Sequence, residues 1–243
     1  MIGSPSVAVV IPTMNRAEGL EGALESVFAQ TYDEIEAVVV NGGSTNRTLS
    51  MVSEFRAEHG EERVTYVRNE EPQGLPAARN QAAKETNAEL LAFLDDDDRW
   101  YPEKTERQVE QFEKGVGMCY TGLVSETPDG EHIHTKQPML EGDFYEDITV
   151  RNDIGTPSTV MVTRMAFNEV GRFDEELHHQ EDWDFYIRLA RGYEVARVSE
   201  SLVTRLSHVE AMSRDVKRQK EYREQILERY AGELQSRGLE SEA

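Results

Sequence analysis

The chain has 243 residues, 47 acidic against 26 basic, and a net charge of −21. So acidic a surface repels nucleic acid and anionic membrane. Its one cysteine, Cys119, excludes an internal disulfide and a cysteine-based zinc site.

The elements follow in chain order. Val7–Ile11 is a continuous apolar run closed by Pro12, the pattern of a strand buried on both faces. Residues 17–30 place Leu20, Leu24, Val27 and Phe28 on one helical face. Ile35–Val40 predicts a second buried strand, ending in the turn Asn41-Gly42-Gly43-Ser44, and a helix is expected over 45–59. Ser44 or Thr45 would cap it. Arg63–Arg68 predicts a third strand. Gly74-Leu75-Pro76 opens a helix with proline in its first turn. Leu90–Leu94 predicts a fourth strand, and residues 102–114 a helix. Strands alternating with helices imply a parallel sheet with right-handed crossovers. After about Gly115 the pattern changes. Residues 118–126 and 131–137 predict a hairpin around Pro128-Asp129-Gly130. Thr159–Thr163 predicts a short strand, Trp183–Arg191 a helix, and Ser213–Ser236 a long charged helix with a stripe of Tyr222, Ile226, Leu227 and Tyr230. That stripe suits docking on the domain or on a partner, a second copy included. No run approaches the roughly 18 apolar residues of a transmembrane helix. The N-terminus does not read as a signal peptide. A soluble, cytoplasmic protein is expected, with peripheral membrane association open.

Five constellations carry chemistry. Four aspartates, Asp95–Asp98, follow the fourth strand at its carboxyl end, where open α/β sheets bind ligands. Adjacent carboxylates repel one another, and their hard oxygens suit Mg²⁺ or Mn²⁺. The bland alternative is a solvated acidic loop. The Asn41–Thr45 turn lets backbone approach a ligand. Gly74–Asn80 puts Arg79 on a first helical turn, either reaching an anionic ligand or lying on the surface. Residues 178–184, His-His-Gln-Glu-Asp-Trp-Asp, put acids at a helix start, as caps or as a general base. Adjacent histidines rarely share one ion. Arg205–His208 ends a strand-like run.

In this order and spacing the segments resemble the family 2 glycosyltransferases of GT-A fold. Residues 9–16 are similar to the family's opening strand and loop, 74–80 to its glycine-to-ARN segment, and 93–100 to its DxD motif. Residues 170–175 and 181–184 are similar to its GxFDE and ED segments. The resemblance spans roughly residues 6–213. It implies an α/β fold with a Rossmann-like nucleotide-binding half, about 1–115, an acceptor half, about 116–212, and a C-terminal helix, about 213–237, in one domain. It implies a nucleotide-sugar donor and a glycan, lipid-linked or protein acceptor. Asp182 would be the catalytic base of an inverting transfer. Asp97 would bind Mn²⁺ or Mg²⁺ with His208, which corresponds to a late histidine facing diphosphate or metal. Asp95 would serve ribose or a metal-bound water, with Asp96 or Asp98 in support. Pro12, Thr13, Asn15, Arg16, Asn41, Gly42 and Arg79 would line the donor site.

One departure stands out. Where the family usually carries two aspartates and a glycine after strand two, then a further aspartate, this chain reads Asn41, Gly42, Gly43 and Asn46. That puts UDP specificity in question and leaves a catalytically silent nucleotide-sugar-binding protein as an alternative. A nucleotidyltransferase, the other alternative, needs a glycine-rich basic loop after the first strand, which residues 12–16 do not supply. Lysine supplies only 6 of the 26 basic residues. With the acidity, this resembles the proteins of halophilic archaea, for which salt relieves self-repulsion.

Overall fold

The computed structural model describes residues 4–206 and 216–239. β1 (Val7–Thr13) is buried at every position because both faces of the sheet are covered. β1 pairs in parallel with β2 (Ile35–Asn41) and β4 (Leu90–Phe93), and β2 pairs in parallel with β3 (Val64–Arg68). The sheet becomes mixed beyond β4. β8 (Val160–Thr163) runs antiparallel to β4 and to β6 (Val116–Glu126). β6 is flanked by β7 (His132–Lys136), its antiparallel hairpin partner, and by parallel β9 (Glu194–Leu206). β9 in turn carries β5 (Asp98–Trp100). The parallel expectation therefore holds for β1–β4 and gives way to a mixed sheet beyond.

Alternate residues of β1 divide the core. Val7, Val9 and Ile11 pack under α1 (Ala17–Phe28) and α2 (Thr48–His59), through Leu20, Leu24, Met51 and Val52. Ala8 and Val10 face the other layer, which holds α3 (Leu75–Lys84), α5 (Tyr145–Val150), α6 (Arg164–Glu169) and α7 (Glu181–Ala190). Phe93, Phe167, Phe173 and Phe185 make an aromatic cluster there, with centroids 4.8–6.0 Å apart, in the range of favourable ring pairs. The C-terminal stripe docks on this layer. Ile226 of α8 (Val216–Arg229) and Tyr230, in the turn that follows it, are buried, and the Tyr230 hydroxyl donates to buried Asp184 at 2.7 Å. Leu234 of α9 (Ala231–Arg237) is also buried. No helix among the described residues is long and apolar enough to cross a membrane.

Several local expectations change. The helix expected over 102–114 is a short α4 (Lys104–Val109). Ser44 and Thr45 do not cap α2, which starts at Thr48. Instead Ser44 Oγ accepts from the Asn15 amide at 2.8 Å, and the Thr45 amide donates to Asn15 Oδ1 at 2.9 Å. These two bonds tie the loop after β1 to the turn after β2. Asn15 holds φ +56, a left-handed conformation that asparagine tolerates.

Candidate active site

The loops at the carboxyl ends of β1, β2 and β4 enclose a cleft of about 370 Å³. Its walls include Pro12, Gly42, Pro72, Leu75 and Ala78, and its inner end is Asp95–Asp97 with Arg16. The size lies within the range of small-molecule sites, roughly 300–1,000 Å³. A largely apolar slot ending in charged groups suits a flat ring at one end and a polyanion at the other. Gly19 lets α1 come close to the acidic loop. A Cβ there would stand 2.7 Å from the Asp96 carbonyl oxygen.

The four aspartates do not converge. Asp95 accepts from Arg79 Nη2 at 2.8 Å and from the Thr156 hydroxyl at 3.3 Å, while its amide donates to Ser158 Oγ at 3.0 Å. Asp96 turns the other way, to the Thr13 hydroxyl at 2.7 Å and Arg16 Nη1 at 3.3 Å. Burial pushes its pKa up to about 6, against the hydrogen bond from Thr13 and the charge of Arg16. Asp97 remains partly exposed and meets Arg16 Nη1 at 2.5 Å. Asp98 enters β5 opposite Arg205 of β9 and is buried, with no hydrogen-bond partner on either oxygen. Burial, and then the charge of Asp95, push its pKa well above the usual carboxylate range. Among the described residues, no three His, Cys, Asp or Glu side chains are arranged to hold a metal ion. Asp97 and Asp95 are the carboxylates that both face the cleft and keep some exposure, and their hard oxygens fit Mg²⁺ or Mn²⁺.

Arg79 differs from its expected place on the nucleotide. Its guanidinium is 2% exposed and bridges Asp95, at 2.8 Å, and Glu181 Oε1, at 2.6 Å. It lies 5.5 Å from the Phe173 ring centroid. Burial alone would lower its pKa, but the charges of Asp95 and Glu181 outweigh that and raise it. It thereby couples the aspartate loop to the start of α7. Asn80, next in sequence, stitches α3 to the loop before α7: it donates to the Phe173 carbonyl and Glu175 Oε1, both at 2.9 Å, and accepts from the Phe173 amide at 3.1 Å. Sequence reasoning missed that role. The only signal for it was a polar residue on a helix otherwise rich in alanine.

α7 begins after Gln180, which holds φ +58 without a side-chain cap. Asp182 stands on its first turn, half-buried, with Oδ1 accepting from the Trp183 amide at 2.8 Å. Burial first, then the neighbouring charge of Glu181, push its pKa up to about 7. A carboxyl group held near neutrality can exchange a proton under ordinary conditions. His179 stacks on Tyr222 at 3.9 Å between centroids.

Asn41, expected on the donor, is 1% exposed and committed inside the protein. It donates to the Tyr66 hydroxyl at 2.6 Å and accepts from the Ser44 amide at 2.8 Å. Gly42 lines the cleft opposite Pro72. His208 lies outside the described residues, as does the start of the C-terminal helix expected from Ser213.

Residues 8–179 match Glycosyl transferase family 2. The chain is 30% identical over 197 residues to the uncharacterized glycosyltransferase YwdF of Bacillus subtilis, covering 79% of this chain and 70% of that one. It is 31% identical over 167 residues to the putative teichuronic acid biosynthesis glycosyltransferase TuaG of the same species, covering 68% and 65%. Among solved structures, S. aureus TarS 1-349 in complex with UDP-GlcNAc superposes with a TM-score of 0.71 at 19% identity, over 95% of this chain and 73% of that one. The mannosyltransferase PcManGT from Pyrobaculum calidifontis, in complex with GDP-Man and Mn²⁺, superposes with a TM-score of 0.68 at 22% identity, over 93% and 63%. The chain thus spans about two thirds of the length of the relatives it matches. The curled mixed sheet with helices on both faces is the GT-A fold, and the chain belongs to glycosyl transferase family 2.

Proposed function

We propose that this chain is an inverting glycosyltransferase that moves a sugar from a nucleoside-diphosphate donor to an acceptor hydroxyl in glycan synthesis. One observation carries the reading. A carboxyl group with its pKa pushed up to about 7, Asp182, is tied through Glu181 and Arg79 to the aspartates that end a base-sized cleft. A general base is most effective when its pKa lies near the working pH. In this reading the nucleotide ring lies against Leu75, Pro72 and Gly42, and the diphosphate lies at Asp95–Asp97. Arg16, more than half exposed, leaves Asp96 and Asp97 to meet the phosphates. Asp97, supported by Asp95, would hold Mg²⁺ or Mn²⁺, and ions of this kind are commonly held by one or two carboxylates together with substrate phosphates. When bound, the ion offsets the charge that develops on the leaving diphosphate. Asp182 takes the proton of the acceptor hydroxyl as its oxygen attacks the anomeric carbon from the face opposite the diphosphate. That direction inverts the configuration. Arg79 keeps Asp95 and Glu181 in place without touching the reacting atoms. The family membership, the likeness to TuaG, a putative teichuronic acid biosynthesis glycosyltransferase, and the GDP-Man and Mn²⁺ bound to PcManGT support this reading.

The test is Asp182→Asn. Transfer measured with Mn²⁺ should fall about 10²-fold or more, the scale of general base catalysis, while nucleoside-diphosphate affinity stays unchanged. In the wild type the rate should climb with pH through about 7 as Asp182 deprotonates, then level off. Transfer at near wild-type rate in the variant would remove Asp182 from the role.

A further inference from the structure

Cations gather on the α7 side of the aspartate loop, away from the donor cleft. Lys136, the last residue of β7, lays its Nζ 3.4 Å from where a Cβ on Gly155 would stand. Gly155 immediately precedes Thr156, whose hydroxyl donates to Asp95. Lys136 is half-buried and forms no ion pair with a described residue. Burial lowers its pKa. The carboxylates of Asp153 and Asp182 are near enough to raise it, while the charges of Arg205 and Arg151 lower it further. An ammonium ion in this position, unpaired and within electrostatic reach of the proposed base, lacks an anion.

A second observation lies beside the first. Arg151, Asn152, Gln180, Trp183, Lys220 and Arg223 enclose a cavity of about 340 Å³. Gln180 and Trp183 bracket Asp182 in sequence. Every charged residue lining the cavity is basic, in a chain where acids outnumber bases 47 to 26. Arg151 is clamped by Asp153 at 2.7 Å and Lys220 stands 3.6 Å from Glu224, but Arg223 has no ion-pair partner among the described residues. The donor diphosphate does not account for this cluster, because the donor cleft lies across Asp95 and has Arg16 as its own cation.

Resting on the transferase reading above, we infer that the acceptor carries an anionic group, a phosphate or a carboxylate. It lodges between Lys136 and the Arg151–Lys220–Arg223 cavity, with its hydroxyl at Asp182. The chemistry is charge-assisted hydrogen bonding to ammonium and guanidinium groups.

Three acceptor-side probes test this by ligand-observed NMR titration at low ionic strength with nucleoside diphosphate and Mn²⁺ present. They are p-nitrophenyl β-glucuronide, geranyl phosphate and the neutral p-nitrophenyl β-glucoside. At least one anionic probe should bind about tenfold tighter than the glucoside, the scale of a hydrogen bond to a charged group. Lys136→Met and Lys220→Gln/Arg223→Gln should each erase that preference, with calorimetric affinity for UDP or GDP unchanged. Whether the glucuronide or the phosphate shows the preference tells carboxylate from phosphate. Equal binding of all three probes, no binding of either anionic probe, or a loss of nucleotide affinity in Lys136→Met would overturn the inference. If the wild type binds no nucleoside diphosphate at all, the transferase reading fails instead, and the probe preference is read separately.

Discussion

Removing Arg79 should damage stability before it damages nucleotide binding. The guanidinium is 2% exposed and satisfies Glu181 at 2.6 Å and Asp95 at 2.8 Å. Arg79→Gln leaves two carboxylates facing each other with no cation. Breaking a buried pair from one side costs about 3–5 kcal/mol, because a charge is left uncompensated. The Asp95 side chain keeps 29% exposure and water will screen it, so the lower half of that range applies to its share. In a protein of this size about 1 kcal/mol shifts the melting temperature by roughly 2–4 °C, so a loss of about 3–4 kcal/mol should lower melting by roughly 6–16 °C. Arg79→Lys should recover part of the loss, because one ammonium cannot bridge both carboxylates as a forked guanidinium does. Thermal scans by circular dichroism measure the loss, and calorimetry with UDP and GDP at a temperature where both variants are folded measures binding. Affinity should change little, since Arg79 does not reach the cleft. A variant that melts like the wild type but no longer binds nucleotide would refute this reasoning and put Arg79 back on the donor.

The spent side chain of Asn41 and the bare Gly42 leave the nucleotide base few side-chain partners. UDP, GDP and dTDP should therefore bind within about tenfold, or 1.4 kcal/mol, of each other by calorimetry with Mn²⁺; tight, exclusive UDP binding would contradict this. Buried Lys104 sits 3.7 Å from the Trp100 ring centroid and donates to Gln108 at 2.6 Å, and burial pushes its pKa down from 10.5 to about 7. The cost of charging it is fully present below about pH 7 and is relieved as pH rises towards 10.5. The stability of the wild type relative to Lys104→Met should thus rise from pH 7 to 10, and denaturation curves giving a pH-independent difference would rule that out. At −21 the fold crowds like charges. Molar KCl shortens the screening length to about 3 Å, so melting should climb steadily with salt, and a flat response would dismiss the halophilic reading of the composition.

The fold was legible where one physical rule dominated. β1 and β2 are apolar at nearly every position because both faces are covered, and their runs announced them. β9 was read only as a strand-like run near residue 205. Its solvent-facing Glu194, Ser199 and Glu200 interrupt the apolar pattern, and what makes it a 13-residue strand is pairing with β6 and β5, a tertiary fact. The helix expected over 102–114 overran α4 because nothing in its pattern encoded the turn after Val109. The halves expected at 1–115 and 116–212 meet within one sheet, at the antiparallel seam of β4 and β8.

The candidate site shows the same division more sharply. Four consecutive aspartates give the density of charge, but direction belongs to the neighbours. β5 pairs Asp98 with Arg205 and turns it inward, while Arg79, 16 residues earlier, draws Asp95 towards Glu181. Thr13 and Arg16 pull Asp96 back under β1. Asp97 keeps its opening to the cleft because its partner is an exposed arginine. Repulsion within the block is relieved by sending each carboxylate to a different environment, two cationic, one hydroxyl-bonded and one desolvated. A motif states which chemistry is available, and the strand pairings decide which of its members can act. The same reasoning bears on the proposed base. Glu181 and Asp182 are adjacent acids with opposite fates, because Arg79 neutralises the first and only a backbone amide meets the second. Burial and the neighbouring charge of Glu181 push the pKa of Asp182 up, and that environment is absent from the sequence of either residue.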